Sequence, residues 1–336
     1  MELKHRFSQK FRVLAAKSAI RVLHWCGLYD GFFSAWRWAL FDFAEKHGLH
    51  ILPVHYYTPI PDLAATKFDE HTERFLACDD QTLASALGFL VDLREQYGRE
   101  FDEIASRKPR KPRRGPERFE FGGGAPYSTV EAELLYGLIR TRKPKRIVEV
   151  GCGHTTFLIA EAIAAEGQAG YHPVYSCIEP FRPAYLSNPP KEVSDFIEKP
   201  LQDIDLSFFS TLEAGDILFI DSSHVVKYGS DTVYELLELL PSLADGVLVH
   251  FHDIFLPYDY PTDWLQKGRF FWSEQYMLNA LLNGQEKFRT IFPLHQIYRQ
   301  RREELEKIFP LLSDGDHRPA AYWLEVCHPS APRPRH

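Results

Sequence analysis

No stretch of this 336-residue sequence supplies the about 20 consecutive apolar residues that cross a bilayer. No secretory leader is expected, because Arg12, Lys17 and Arg21 interrupt every apolar run near the basic N-terminus. The aromatic stretch from Trp25 to Phe43 contains Asp30, Arg37 and Asp42, and it reads as packed helices rather than an interfacial membrane helix. Cysteine is scarce: Cys26, Cys78, Cys152, Cys177 and Cys327 are scattered, odd in number and without a C-x-x-C pair. That pattern argues against a disulfide framework or a cysteine-built zinc site and fits reduced thiols. Positive charge is not in excess either; the formal net charge is −7. A nucleic-acid partner normally requires a basic domain or an aromatic–basic groove, and neither is present. The one basic run, Lys108 to Pro116, is short, proline-rich and linker-like. These absences lead us to expect a cytoplasmic protein without a transmembrane segment. A homo-oligomer is allowed.

What is present centres on residues 146–160, RIVEVGCGHTTFLIA. Ile147, Val148 and Val150 read as a buried strand, Gly151 and Gly153 as a sharp turn, and the apolar run from Phe157 as a helix. Glycine lets backbone approach a ligand closely, and the helix start offers free N–H groups. A dinucleotide fold would carry a third glycine where Thr156 stands, and the acid Glu149 sits two residues before the first glycine.

The rest of the chain falls around this turn. Residues 1–107 are expected to be a mostly helical N-terminal extension, with helices over 1–48 and 69–106. Leu83, Leu87, Leu90, Val91 and Phe101 mark the apolar face of the second region. Between them, prolines 53, 59 and 61 impose an extended segment over 50–62. Residues 108–118 are expected to link it to a domain over 119–328, with a disordered tail at 329–336. Ser128 or Thr129 caps a helix from Val130 to Arg140, stopped by Pro144. Strands are then expected at 173–179, near 196–203, at 216–221 and at 246–253, with a helix over 231–243. Weaker strands follow at 288–298 and 320–327. Alternation of this kind specifies an α/β, doubly wound, Rossmann-like parallel sheet.

Ligands of such sheets bind beyond the C-terminal strand ends. Glu149, Gly151 and Gly153 close the first strand, Glu179 the second, and Asp203 follows the third. Glu179 is placed to accept ribose hydroxyls and Asp203 to meet an adenine amino group. Asp221 and His224 follow the fourth strand; His252 and Asp253 end the fifth. Two carboxylates with imidazole suit a divalent cation at Asp221, His252 and Asp253. His224 is a candidate general base, since imidazole titrates near working pH. Packing alone is the competing reading for Asp221 and His224, and the preferred one for His250 inside the strand. Residues 254–264 read either as a lid or acceptor wall, with Tyr258 and Trp264 facing the acceptor, or as a packed surface loop.

The E-x-G-x-G turn resembles motif I of the class I S-adenosylmethionine-dependent methyltransferases. From about Tyr127 to Cys327 the chain resembles the bacterial "methyltransferase domain 24" type. The resemblance rests on residues 149–156 (EVGCGHTT), 177–180 (CIEP), 219–224 (FIDSSH) and 250–255 (HFHDIF). The set Asp221, His224, His252 and Asp253 is also similar to that of metal-dependent sugar O-methyltransferases. The resemblance implies a seven-stranded sheet with an antiparallel edge pair and S-adenosyl-L-methionine bound by Glu149, Gly151, Gly153, Glu179 and Asp203. It also implies Asp221 and Asp253 as ligands of Mg²⁺ or Mn²⁺, His224 as base, and as acceptor a hydroxyl of a saccharide or secondary-metabolite-like small molecule. The chain departs from that pattern by placing His252 where those enzymes carry glutamate, which shifts metal preference away from Mg²⁺. Two alternatives stay open: a metal-independent methyltransferase, and a catalytically silent cofactor-binding module that docks a partner through residues 1–118.

Overall fold

Five parallel strands with an antiparallel pair at one edge carry the fold. In this computed structural model the described residues are 14–22, 35–52, 54–55, 57–107, 118–119, 127–167, 170–314 and 318–327. The chain divides into two compact units, Met1–Phe68 and Asp69–His336. The first holds helices α1 (residues 14–22) and α2 (Ala35–Glu45), then turns without regular structure. The second holds α3 (Asp80–Ala105), α4 (Thr129–Arg142), α5 (His154–Gly167) and the sheet. The expected linker, apart from Arg118, and the tail at 329–336 lie outside the described residues, as does Trp25 to Ser34.

The division between compact units falls at Phe68 and Asp69, ahead of α3. Helix α3 belongs to the same unit as the sheet, since Leu83, Leu90, Leu93 and Phe101 enter one core with α4 and α5. It is shorter than expected because the donors ahead of it are already taken. The N–H groups of Arg74 and Phe75 donate to the Pro257 carbonyl, that of Leu76 to Asn279 Oδ1 and that of Cys78 to Gln296 Oε1. Asp79 then caps the helix by accepting from Thr82 N. Val91, expected on the buried face, is exposed.

Helix α4 opens on a complete capping box between Ser128 and Glu131. It ends at Lys143, in the left-handed conformation just before Pro144. Glu131 also accepts from Ala320 N at 2.6 Å, tying the helix start to the segment that leads into the strand at Tyr322–Val326.

The strands are β1 (Arg146–Val150), β2 (Val174–Ile178), β3 (Asp195–Ile197), β4 (Ile217–Ile220), β5 (Leu248–Phe251), β6 (Phe288–Pro293) and β7 (Tyr322–Val326). Their order is β3-β2-β1-β4-β5-β7-β6, with β7 antiparallel to both neighbours. This is the seven-stranded, Rossmann-like sheet of class I methyltransferase type. Alternate residues feed opposite faces, as the strand period requires: Ile147 and Phe219 face one core, Val148 and Leu218 the other. Two expected elements differ. Strand β6 stops at Pro293, where α10 (Leu294–Gln300) begins; Leu294 N still donates to Ala321 O, the next position of the same register, before the chain winds into the helix. The helix expected over 231–243 is α7 (Asp231–Tyr234), a π-helical turn at Glu235–Leu239, and α8 (Leu240–Ser242). Pro241 has no N–H to return to the preceding turn, which favours the wider winding.

Register sets up the site. Val150 lies opposite Ile178 and Ile220, and Ile220 opposite Phe251. Gly151, Glu179, Asp221 and His252 therefore all leave the sheet at one level. The order reverses between β1 and β4, where open α/β sheets leave a crevice.

Candidate active site

Gly151 is the tightest point of the turn. Its φ is +81°, and a Cβ there would fall 1.7 Å from the Asp221 carbonyl oxygen. Gly151 N donates to Ile178 O at 3.0 Å and Asp221 N to Val150 O at 2.9 Å, which knits the ends of β1, β2 and β4 together. Gly153 is under no such pressure; a Cβ would meet only Tyr185 Oη at 3.6 Å.

Glu149 supports the turn from beneath. It is fully buried and accepts from Thr155 Oγ1 at 2.6 Å, Thr156 Oγ1 at 2.8 Å, Tyr175 Oη and the Cys177 thiol. Burial pushes its pKa up to about 7 against the pull of those donors. The carboxyl thus fastens the first turn of α5 to β1 and β2.

A cleft of about 580 Å³ opens above the strand ends, lined by Gly151, Glu179, Gln202, Asp221, Lys227 and Asp231 among others. Glu179 accepts from Phe181 N through Oε1 at 2.7 Å, which sets its orientation at the cleft wall. Asp203 is not brought there. It is exposed at the end of a 3₁₀ turn, and its neighbour Gln202 faces the cleft instead.

Behind Asp221 the acid and imidazole groups converge. Asp221 Oδ1 is 3.3 Å from His224 Nε2 and 3.4 Å from His252 Nδ1. Asp253 Oδ2 is 3.2 Å from His252 Nδ1 and 3.8 Å from His224 Nε2. The donor atoms of Asp221, His224 and His252 all lie within 4.8 Å of one another. Burial alone would raise the Asp221 pKa, but the two imidazoles hold it well below the usual carboxylate range. Burial likewise opposes charge on His224, yet Asp221 and Glu274 raise its pKa well above the ordinary value. His224 is therefore not a free imidazole titrating near neutrality.

Three features of this cluster escape sequence reading. Glu274, at the start of α9 (Glu274–Leu282), is buried, and its Oε2 lies 2.8 Å from His224 Nδ1. The N–H groups of Ser273 and Glu274 both donate to the His224 carbonyl, fixing a residue whose φ is +58°. Trp272 packs on the His224 ring with centroids 4.3 Å apart. Glu235, also fully buried, accepts from Ser222 Oγ at 3.0 Å. Fifty residues separate His224 from Glu274 and no spacing rule joins them, so the sequence carried no signal for the pair.

His250 packs, as its place in the strand suggested: Phe219 stacks on it at 4.0 Å and Trp323 meets it edge-on. The segment 254–264 is mostly packed as well. Phe255 and Tyr260 are buried, and Tyr258 is 5% exposed with its hydroxyl donating to Glu73 at 2.8 Å. The Tyr258 ring is thus packed within its own unit. Trp264 remains half-buried, edge-on to Trp272 at 5.1 Å.

The donor set suits a divalent cation. Both ring nitrogens of His252 are buried without an aligned hydrogen-bond partner among the described residues, although two carboxylates stand at ion-pair distance. Oxygen and imidazole donors of this kind are what Mn²⁺, Fe²⁺ or Zn²⁺ accept.

The SAH-bound methyltransferase PaMTH1 of Podospora anserina is 15% identical to this chain, covering 76% of it and 100% of its own length, with a TM-score of 0.33. The plantazolicin methyltransferase BamL, in complex with a triazolic desmethylPZN analog and SAH, is 11% identical over 74% of this chain and 98% of its own, with a TM-score of 0.34. An uncharacterized protein of Archaeoglobus fulgidus is 27% identical over 169 residues, which are 48% of this chain and 73% of that one. Residues 148–254, which run from β1 through the glycine turn to the acid–imidazole cluster, match the family model of a methyltransferase domain.

Proposed function

We propose that this protein is an S-adenosylmethionine-dependent methyltransferase that methylates a hydroxyl of a small molecule, a saccharide-like one by the family resemblance. One observation carries the reading. The glycine turn leaves no room for a Cβ against Asp221, so its backbone forms the floor of a cleft with Glu179 on one side and the acid–imidazole cluster on the other.

In this reading the cleft would hold the cofactor. Gly151 lets its body approach the turn, and the free Glu179 oxygen accepts from ribose hydroxyls. The acceptor hydroxyl sits near Asp221 and His224. When bound, S-adenosylmethionine would supply the methyl group to that oxygen, leaving a methyl ether, S-adenosylhomocysteine and the hydroxyl proton to be taken up. Holding the two reactants in line supplies much of the rate. Glu274 at Nδ1 orients His224, and a cation held at Asp221 and Asp253 would offset the carboxylate charge that keeps the ring protonated, leaving Nε2 able to take the hydroxyl proton. Asp221, His252 and Asp253 would hold a divalent cation, which when bound supplies Lewis acidity to an acceptor oxygen.

A metal-independent reaction is the second reading, favoured by the Glu274–His224 pair, which is complete from protein groups alone. Calorimetric titration with S-adenosylmethionine tests the main proposal, repeated with EDTA and then with added Mn²⁺. Saturable binding is expected, and the absence of binding under every condition would remove the methyltransferase reading. Direct Mn²⁺ titration of wild type against Asp253→Ala separates the two readings; heats that do not change on substitution would leave His224 acting without a metal.

A further inference from the structure

A second pocket, of about 320 Å³, lies within the Asp69–His336 unit and takes no part in the chemistry above. Three arginines from three segments line it: Arg299 on α10, Arg302 at the start of α11 (Arg302–Ile308), and Arg318 ahead of β7. Phe255 and His295, both buried, line it too, their rings edge-on at 4.9 Å.

Two carboxylates also line the pocket, and both are occupied. Glu70 accepts from Arg318 Nη1 at 3.2 Å and from Thr262 N. Asp259 accepts from Tyr276 Oη at 2.6 Å and Tyr260 N at 2.8 Å, with Arg74 at 3.4 Å. Arg299 has no carboxylate partner among the described residues. Its Nη1 donates to the Glu70 carbonyl at 3.0 Å, its Nη2 meets His71 Nδ1 at 3.3 Å, and its guanidinium lies 4.4 Å over the Tyr258 ring. The guanidinium is thus fixed in place with its charge unmatched. Among the described residues the one ion-pair partner of Arg302 is Glu306 on its own exposed helix face, a contact of little energetic worth, and its guanidinium lies 5.2 Å over the Tyr298 ring.

His295 points the same way. Its Nδ1 lies 3.0 Å from the Pro319 carbonyl, which has no proton to give, so Nδ1 carries the hydrogen. Burial pushes its pKa down to about 3, which keeps the ring neutral. Nε2 is then a lone-pair acceptor, and it has no partner among the described residues. A fixed, unmatched guanidinium beside a bare acceptor fits an oxyanion on a hydroxyl-bearing molecule.

We propose that this pocket is an oxyanion subsite: Arg299, with Arg302 and Arg318, holds a carboxylate or phosphate group, and His295 Nε2 accepts from a neighbouring hydroxyl. A run of rings joins it to the acid–imidazole cluster, from Phe255 to Trp264 at 5.1 Å, Trp264 to Trp272 at 5.1 Å and Trp272 to His224 at 4.3 Å. The bound group is accordingly the anionic end of the acceptor. Only that last assignment rests on the methyltransferase reading.

The test is calorimetric titration of the full chain with inorganic phosphate at ionic strength held constant with KCl, without S-adenosylmethionine. Saturable binding is expected, weakened about tenfold in Arg299→Gln and in Arg302→Ala. Arg302 is exposed, so its variant reports on the pocket even where Arg299→Gln disturbs folding. Lys267→Gln, a lysine outside the pocket, should bind as wild type does. No saturable binding up to about 50 mM, or equal binding by wild type and both arginine variants, would overturn the proposal. Competition by glucose 6-phosphate identifies a phosphate ligand, and competition by glucuronate a carboxylate. The readout needs no cofactor, so its failure is distinct from failure of the methyltransferase reading.

Discussion

At the scale of single residues, space and desolvation decide. Gly151 has a positive φ and a backbone oxygen where its Cβ would be. Gly151→Ala is expected to cost at least about 2 kcal/mol of stability and to abolish S-adenosylmethionine binding, read from urea unfolding and calorimetry. Gly153→Ala should be far milder, since nothing crowds that position. Glu179→Ala is expected to weaken S-adenosylmethionine binding about tenfold, as loss of a charged hydrogen-bond acceptor does. Unchanged affinity would remove Glu179 from the ribose site. The residue types at this turn were legible, but their division of labour was not. Glu149 sits in the motif as if to meet a ligand, and only packing shows that Thr155, Thr156 and Tyr175 consume its carboxyl.

At the scale of elements, the contact between α3 and α4 is the sharpest case. A Cβ on Gly137 of α4 would lie 2.2 Å from Leu93 Cδ1 on α3. Gly137→Ala is expected to destabilise by about 1–3 kcal/mol through overpacking. Adding Leu93→Ala should recover part of that loss, and a double-mutant cycle by chemical denaturation would reveal the coupling. The same pair of helices is joined by Arg94 and Glu133, 2.9 Å apart. Burial, only partly offset by Arg94, pushes the Glu133 carboxyl up to about 7. A carboxyl raised in the folded state stabilises most below its unfolded pKa and loses that contribution as pH climbs through about 7. The wild type should therefore lose stability on the order of 3 kcal/mol between pH 4.5 and 7.5 through this group. Glu133→Gln should flatten that slope in urea titrations, and an unchanged slope would assign the loss to other groups.

At the scale of the whole molecule, the sheet and its helices close on themselves within Asp69–His336. A chain beginning at Asp69 is expected to unfold cooperatively and to bind S-adenosylmethionine as the full chain does. Loss of cooperativity in thermal melts would show that the first unit completes the core. The basic, proline-rich run suggested a boundary at 108–118, because composition marks solvated segments. Helix α3 lies before that run yet shares the core behind it, and composition carries no information about which partner an amphipathic helix covers.

By itself the sequence determined the strands β1, β2, β4 and β5, the turn at Gly151 and the acids that end the strands. Each of these depends on local properties: short apolar runs, the conformational freedom of glycine, and the rule that strand ends face the crevice. Tertiary structure alone decided that Asp203 stays in solvent, that Tyr258 packs on its own unit, and that residues 69–79 give up helix for contacts with Pro257, Asn279 and Gln296. It also decided that Glu274 stands at His224 and that Arg299, Arg302, Arg318 and His295 share one pocket. The physical reason is common to all of these. They depend on where distant segments meet, which is set by packing and by competition for backbone hydrogen bonds, and neither leaves a periodic trace in the chain.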